Sequence, residues 1–154
     1  MPRLLRFDAI RLLESSQEAL NLAVSSLGSQ KRIHFRQNSA EFAIEVGLIG
    51  AAAELAMSAC LVQARGARAI VWPTGQYKTA GAVLEEFRQL ASQSTAASSF
   101  LTEGVSDPAA HRQALVNVSR AFKRLIPIRA AGFHAGRGLI HEAVVSQANS
   151  VADF

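Results

Sequence analysis

The stretch FAIEVGLIGAAAELAMSACLV, running from Phe42 to Val62, decides how the rest of this 154-residue chain is read. It is apolar on most sides, yet it carries two carboxylates, Glu45 and Glu54, and two glycines, Gly47 and Gly50. A membrane span needs roughly 18–20 uninterrupted apolar residues, and carboxylates at that depth are expensive in lipid but ordinary in a helix bundle. The stretch therefore reads as a buried helix, not a membrane span. Just upstream, Asn38-Ser39-Ala40-Glu41 offers a side-chain acceptor followed three residues later by a carboxylate, the pattern of a capping box. With Gly66 as a stop, a helix is expected over Ser39–Ala64, and its apolar girth makes it the central element.

Towards the N-terminus, Ile10, Leu13, Leu20, Val24 and Leu27 recur at spacings of three, four or seven. That is a helical stripe, expected over Phe7–Leu27 and ended by Gly28. Towards the C-terminus the periodicity fails between Gly66 and Lys78. Ala69-Ile70-Val71-Trp72 reads as a short extended piece and Pro73-Thr74-Gly75 as a turn. A third helix is expected over Thr79–Gln93, then a Ser/Thr/Ala-rich loop over Ser92–Ser106. Ser106-Asp107-Pro108 is a strong helix start, because proline in the first turn lacks only an N–H that would go unused. That fourth helix is expected to end near Leu125, where Pro127 interrupts, and a fifth to open near Arg129. The fifth shows no stop signal before Phe154, as a domain cut from a longer chain would look. The fold class is all-α: a four- to five-helix bundle forming one domain over 1–154.

Composition narrows the function classes. Nearly half the residues are apolar and 18% are charged, which sets disorder aside as a default. The N-terminal MPRLLR has basic residues but no apolar core with a cleavage site, so no signal peptide is expected. The single cysteine, Cys60, has no partner for an internal disulfide and reads as a small core residue of a reducing compartment. The expected location is the cytoplasm, with no membrane partner. The formal charge of +4 is a mild bias towards anionic partners. Its distribution says more: Arg112, Arg120, Lys123, Arg124, Arg129 and Arg137 fall in one stretch, where Glu142 is the one acid between Arg112 and Asn149.

The chemistry concentrates in RAAGFHAGRGLIHE, Arg129 to Glu142. At about 100° per residue, His134, Arg137 and His141 share an arc of roughly 60° on a helix, and the long side chain of Arg129 can swing towards the same patch. Histidine exchanges protons near neutrality, while arginine keeps its charge and grips phosphate through paired donors. Together they suit phosphodiester chemistry without a metal or other cofactor. A spacing of seven between histidines, with no nearby Cys or Asp, is poor metal-ligand geometry. Gly132, Gly136 and Gly138 add a second observation. Glycines cost a helix about 0.5–1 kcal/mol each, so three in seven residues imply that another helix, a subunit or a ligand approaches the backbone closely.

Arg129-Ala-Ala-Gly-Phe-His134, late in a helical bundle, resembles the HEPN superfamily, whose mark is an arginine followed four to six residues later by histidine. The resemblance also covers the plan of a long first helix, an apolar second helix with an internal glutamate, and a basic later helix. It implies a metal-independent endoribonuclease acting on RNA in a bacterial defence or toxin-type system. Arg129 and His134 would be catalytic, and Arg137, His141, Arg124 and Lys123 would contact nucleic acid. It also implies a homodimer, with an antitoxin or a further domain of a longer chain as partner. Ala130 departs from the family, which often places a polar residue there. The reading of a different class is a non-catalytic helical interaction or dimerisation module of a larger protein.

Other residues carry less. His34 lies in the basic run KRIHFR and reads as part of a solvated loop, and His111 as a surface residue. Trp72 and Tyr77 bracket the Pro-Gly turn and are expected to cover the core. Glu45 and Glu54 are candidates to touch and orient the basic segment, or to lie on the solvent edge of their helix.

Overall fold

The computed structural model describes residues 5–26, 39–135 and 151, and over 26, 39–44 and 128–135 it describes the backbone alone. The expectations for His34, for the capping residues Asn38 and Glu41, and for Arg137 and His141 fall outside the described residues or their side chains. Among the described residues, four α-helices make the bundle: α1 (Phe7–Ser26), α2 (Ser39–Arg65), α3 (Ala80–Ser92) and α4 (Pro108–Ala135). Two 3₁₀ segments, Ala67–Ile70 and Ala96–Thr102, stand between them. The all-α expectation is met, and the described residues of α2 form its centre: Val46, Ile49, Leu61 and Val62 are each at most 2% exposed. Glu45 is fully buried among them. The span Glu45–Arg65 is long and apolar enough, by composition, to cross a membrane, but most of it is covered by the other helices.

Helix α1 packs against α2 through its smallest residues. Ala9, Ser16 and Ala23 are spaced seven apart, and both alanines are at most 1% exposed. Seven residues bring a helix back to nearly the same face, so the three form one seam along which the two backbones approach closely. The Ser16 hydroxyl donates to the carbonyl of Ala52 at 2.8 Å. Near the other end, the Arg6 backbone N–H donates to Gln63 Oε1 at 2.7 Å and its Nε to the Gln63 carbonyl at 3.2 Å. Because Arg6 meets Gln63 and Ser16 meets Ala52, α1 runs antiparallel to α2. Of the larger side chains in the stripe noticed in the sequence, Leu20 is half-buried, while Ile10, Leu13 and Val24 are exposed.

Gly66 ends α2 with φ +89°, its N–H bonded to the Val62 carbonyl at 2.8 Å. Only glycine adopts that φ cheaply. The segment after it is tighter than an extended strand. A 3₁₀ turn over Ala67–Ile70 leads into a small hairpin, in which Val71 bridges Tyr77 and Gly75 N–H closes a turn onto the Trp72 carbonyl at 2.9 Å. Lys78 lies 5.4 Å above the Trp72 ring and pairs with Glu86, which Arg65 also reaches at 3.4 Å. The hairpin is thereby tied to α3. The expectation that Trp72 and Tyr77 cover the core is corrected: they are 40% and 77% exposed, because the hairpin stands outside the helices and Ile70 turns inward instead.

Helix α3 begins at Thr79, whose side chain accepts from Ala82 N–H, and buries Val83, Leu84, Phe87, Leu90 and Ala91. The loop expected over Ser92–Ser106 contains a 3₁₀ helix instead. Thr95 and Ser98 cap each other reciprocally, and Ser98, fully buried, also donates to the Gln93 carbonyl. The larger correction concerns α4. A break at Pro127 was expected, yet one helix runs from Pro108 to Ala135 with Pro127 inside it. Proline removes the N–H that would bond the Lys123 carbonyl, at a cost of about 3 kcal/mol. The helix persists because Pro127 and Lys123 are on its exposed side, where solvent is at hand for a carbonyl that lacks a helical partner. On the opposite side Phe122 and Leu125 are at most 1% exposed and hold the register.

Candidate nucleic-acid interface

Helix α4 carries the residues that matter most to the functional reading. It starts at Asp107, whose carboxylate accepts from Ala110 N–H at 3.0 Å, a cap that also places negative charge at the positive end of the helix dipole. From there two faces diverge. Leu115, Ser119, Phe122 and Leu125 are buried against the other helices. Arg120, Lys123, Arg124 and Pro127 are exposed. At about 100° per residue, the three cations lie within about 100° of one another, so they form one ridge. Its field is tempered on the α3 side by Glu85. That carboxyl is held below its usual range first by hydrogen bonds from Arg88, at 2.7 and 3.2 Å, and less by the charge of Lys123.

The unbroken helix fixes where the Arg-x4-His motif falls. Arg129 and His134 are both within α4, so their register follows from the residues before them. His134 comes eleven residues after Lys123, which returns it to within about 20° of the cationic ridge. Arg129 comes seven residues after Phe122, within about 20° of the buried stripe. The two positions therefore stand about 140° apart around the axis, one in register with the exposed basic face and the other with the core-facing one. Side chains of Arg129 and His134, and the whole of Arg137 and His141, lie outside what the structure describes.

Of the residues expected to contact nucleic acid, Lys123 and Arg124 sit on one exposed face. Arg112, part of the same basic stretch in the sequence, has a different occupation. Its Nη1 donates to the carbonyls of Ala91 and Gln93 at 3.1 and 2.8 Å, and its Nη2 to the Ser98 carbonyl at 3.1 Å. It fastens the start of α4 to the end of α3. Nothing in the sequence separates this arginine from its neighbours, because its acceptors are backbone oxygens supplied by a 3₁₀ segment with no strong sequence signature. Glu45 is a buried residue, not one on the solvent edge of α2, and Glu54 is half-buried.

Cys60, in α2, is half-buried, and burial pushes its thiol up to about 11. A protonated thiol is a poor nucleophile, which fits the packing role read from the sequence. Among the described residues, no three His, Cys, Asp or Glu side chains gather as a metal site. Comparison of the chain with protein-family models, with curated proteins and with solved structures gives no match.

Proposed function

We propose that this chain is a HEPN-like helical domain that cleaves RNA without a metal, with Arg129 and His134 as its catalytic residues. The observation that carries the reading is the continuity of α4. One helix holds both the exposed ridge of Arg120, Lys123 and Arg124 and, in register with that ridge, His134. A phosphodiester backbone lying along the ridge would be led to the imidazole position. His134 takes the proton from a ribose 2′-hydroxyl, and the 2′-oxygen attacks phosphorus. The P–O5′ bond breaks and the 5′-oxygen takes up a proton, leaving a 2′,3′-cyclic phosphate. Arg129 stabilises the charge that develops on the phosphate oxygens. Because Arg129 and His134 differ in register by about 140°, a homodimer in which one copy supplies each group to the other's site is a natural arrangement. Arg137 and His141 are secondary phosphate contacts in this scheme, alongside Lys123 and Arg124. A bacterial defence or toxin-type setting in the cytoplasm, with an antitoxin or further domain as partner, follows from the same resemblance.

The test is RNA cleavage in EDTA by the wild type beside Arg129→Ala and His134→Ala, each first shown to be folded by circular dichroism. Loss of a general acid–base group costs about 10²–10⁴-fold in rate, and loss of an oxyanion donor about 10²–10³-fold. Cleavage that survives in both folded variants, or a wild type that leaves varied RNAs intact, sinks the reading.

A second reading, a non-catalytic interaction or dimerisation module, is favoured by α1. Phe7, Ile10, Leu13, Leu22 and Val24 are all exposed, and exposed large apolar residues gathered on one element mark contact surfaces. Sedimentation of the wild type against Leu13→Glu and Val24→Glu tests it: a dimer dissolved by these changes, without RNA turnover in either, selects this reading.

A further inference from the structure

The bundle contains a pocket of about 250 Å³ between α1, α2, α3 and α4 that neither reading above uses. Its walls come from Leu20 of α1, Ala56 and Cys60 of α2, Phe87 of α3, Phe122 of α4, and Val151. The room has a sequence cause. Ala52, Ala53 and Ala56 lie on one face of α2, opposite the large side chains of α4, and methyl groups there fill less space than the Leu or Ile usual at core positions. We infer that this pocket is a binding site for a small, uncharged, apolar molecule of one or two rings or a short alkyl chain.

The wall chemistry selects the ligand class. Among the described residues, no Lys, Arg, His, Asp or Glu lines the pocket, so none of them compensates a charged group, whose burial unpaired is costly. Two of the described polar side chains reach it. The Ser16 hydroxyl hydrogen is committed to the Ala52 carbonyl at 2.8 Å, and the Cys60 thiol, raised by its burial, stays protonated at neutral pH. Neither asks a ligand for a hydrogen bond. Apolar walls of this kind hold water poorly, and a cavity of about 150 Å³ lined by Leu, Ile and Phe already admits benzene. This pocket is larger. Its ligand would rest against aliphatic and aromatic groups, the usual lining of small-molecule sites, in a pocket that is partly open to solvent.

Toluene is the probe, with three readouts on the full chain: calorimetry, the melting temperature, and the rate at which N-ethylmaleimide modifies Cys60. Saturating toluene is expected to raise the melting temperature by several degrees and to slow Cys60 modification about fivefold or more. Ala56→Leu, which fills the pocket, is expected to abolish binding while protecting Cys60 without ligand. Ala53→Val serves as the filling variant if Ala56→Leu does not fold. Toluene that leaves the melting temperature and Cys60 unchanged in the folded wild type overturns the assignment. So does toluene binding of equal strength to wild type and to a folded filling variant, which puts the site elsewhere.

Discussion

Replacing Arg112 with Met should destabilise the fold by about 2–4 kcal/mol, although the position is one of several cations in the same stretch of sequence. The figure comes from its three acceptors. A hydrogen bond from a charged donor contributes about 1.5–3 kcal/mol net, which for three bonds gives an upper bound well above the expectation. Two corrections bring it down. The bond to Gln93 is exposed, so water replaces it at little cost, and the side chain is itself only partly buried. The bonds to Ala91 and Ser98 are part-buried. The carbonyl of Ala91 belongs to the last turn of α3, where no helical N–H can reach it. Methionine retains most of the aliphatic stem, so the loss is that of the guanidinium rather than of packing. Urea unfolding followed at 222 nm measures it: the midpoint should fall while the slope m stays the same. Arg112→Lys should recover little, since a single ammonium cannot span three carbonyls in fork geometry. A change below about 0.5 kcal/mol for Arg112→Met, the scale of an ordinary surface substitution, would refute the idea that this arginine latches α3 to α4.

Further outcomes follow from the same contacts. Phe122→Ala should cost about 3–5 kcal/mol in a urea titration, because Phe122 is 1% exposed and sits at the junction of α4 with the core. The folded Cys60 thiol, at about 11 against an ordinary 9.0, should react with iodoacetamide at pH 8 about a hundredfold more slowly than the unfolded chain, each unit being a factor of ten. In linkage terms the raised value stabilises the fold fully below about pH 9 and less as pH rises towards 11; a flat unfolding midpoint between pH 8.5 and 10.5 would count against it. Lys123→Glu with Arg124→Glu should leave the melting temperature within about a degree, since both are exposed surface positions. The same pair should weaken RNA binding and flatten its dependence on salt, which a filter-binding series at several salt concentrations reads directly.

The helices were largely legible because their causes are local. The apolar girth of α2, its stop at Gly66, the start of α3 near Thr79 and the Asp107-Pro108 start are each written in a few adjacent residues. What escaped depends on partners distant in sequence. Pro127 reads as a break until one sees that Phe122 and Leu125 are held by the core on the far side of the helix. The buried seam of α1 is made by Ala9, Ser16 and Ala23, residues too small to register against the larger Ile10, Leu13 and Val24 beside them. The 3₁₀ helix at Ala96–Thr102 rests on serine and threonine caps, in a composition that resembles a loop. For the candidate site, the clustering of cations was visible, while their division was not. Arg112 is consumed by backbone carbonyls and Lys123 and Arg124 stay on the surface. The opposite registers of Arg129 and His134 become evident only once the helix is known to be continuous.

The composition of α2 bears on how the chain must be made. A segment that would pass for a membrane span on hydropathy alone emerges from the ribosome ahead of α3 and α4, the helices that cover much of it. Among the described helices, α1 comes before it, and α1 offers a narrow seam of small side chains rather than a broad apolar cover. The nascent hairpin of α1 and α2 is thus the stage at which this protein is most exposed to aggregation, chaperone capture or misdirection to a bilayer. A ribosome-stalled chain ending at Arg65 and followed by a flexible linker long enough to clear the exit tunnel should show that vulnerability, and one carried past Leu125 by the same linker should have lost most of it.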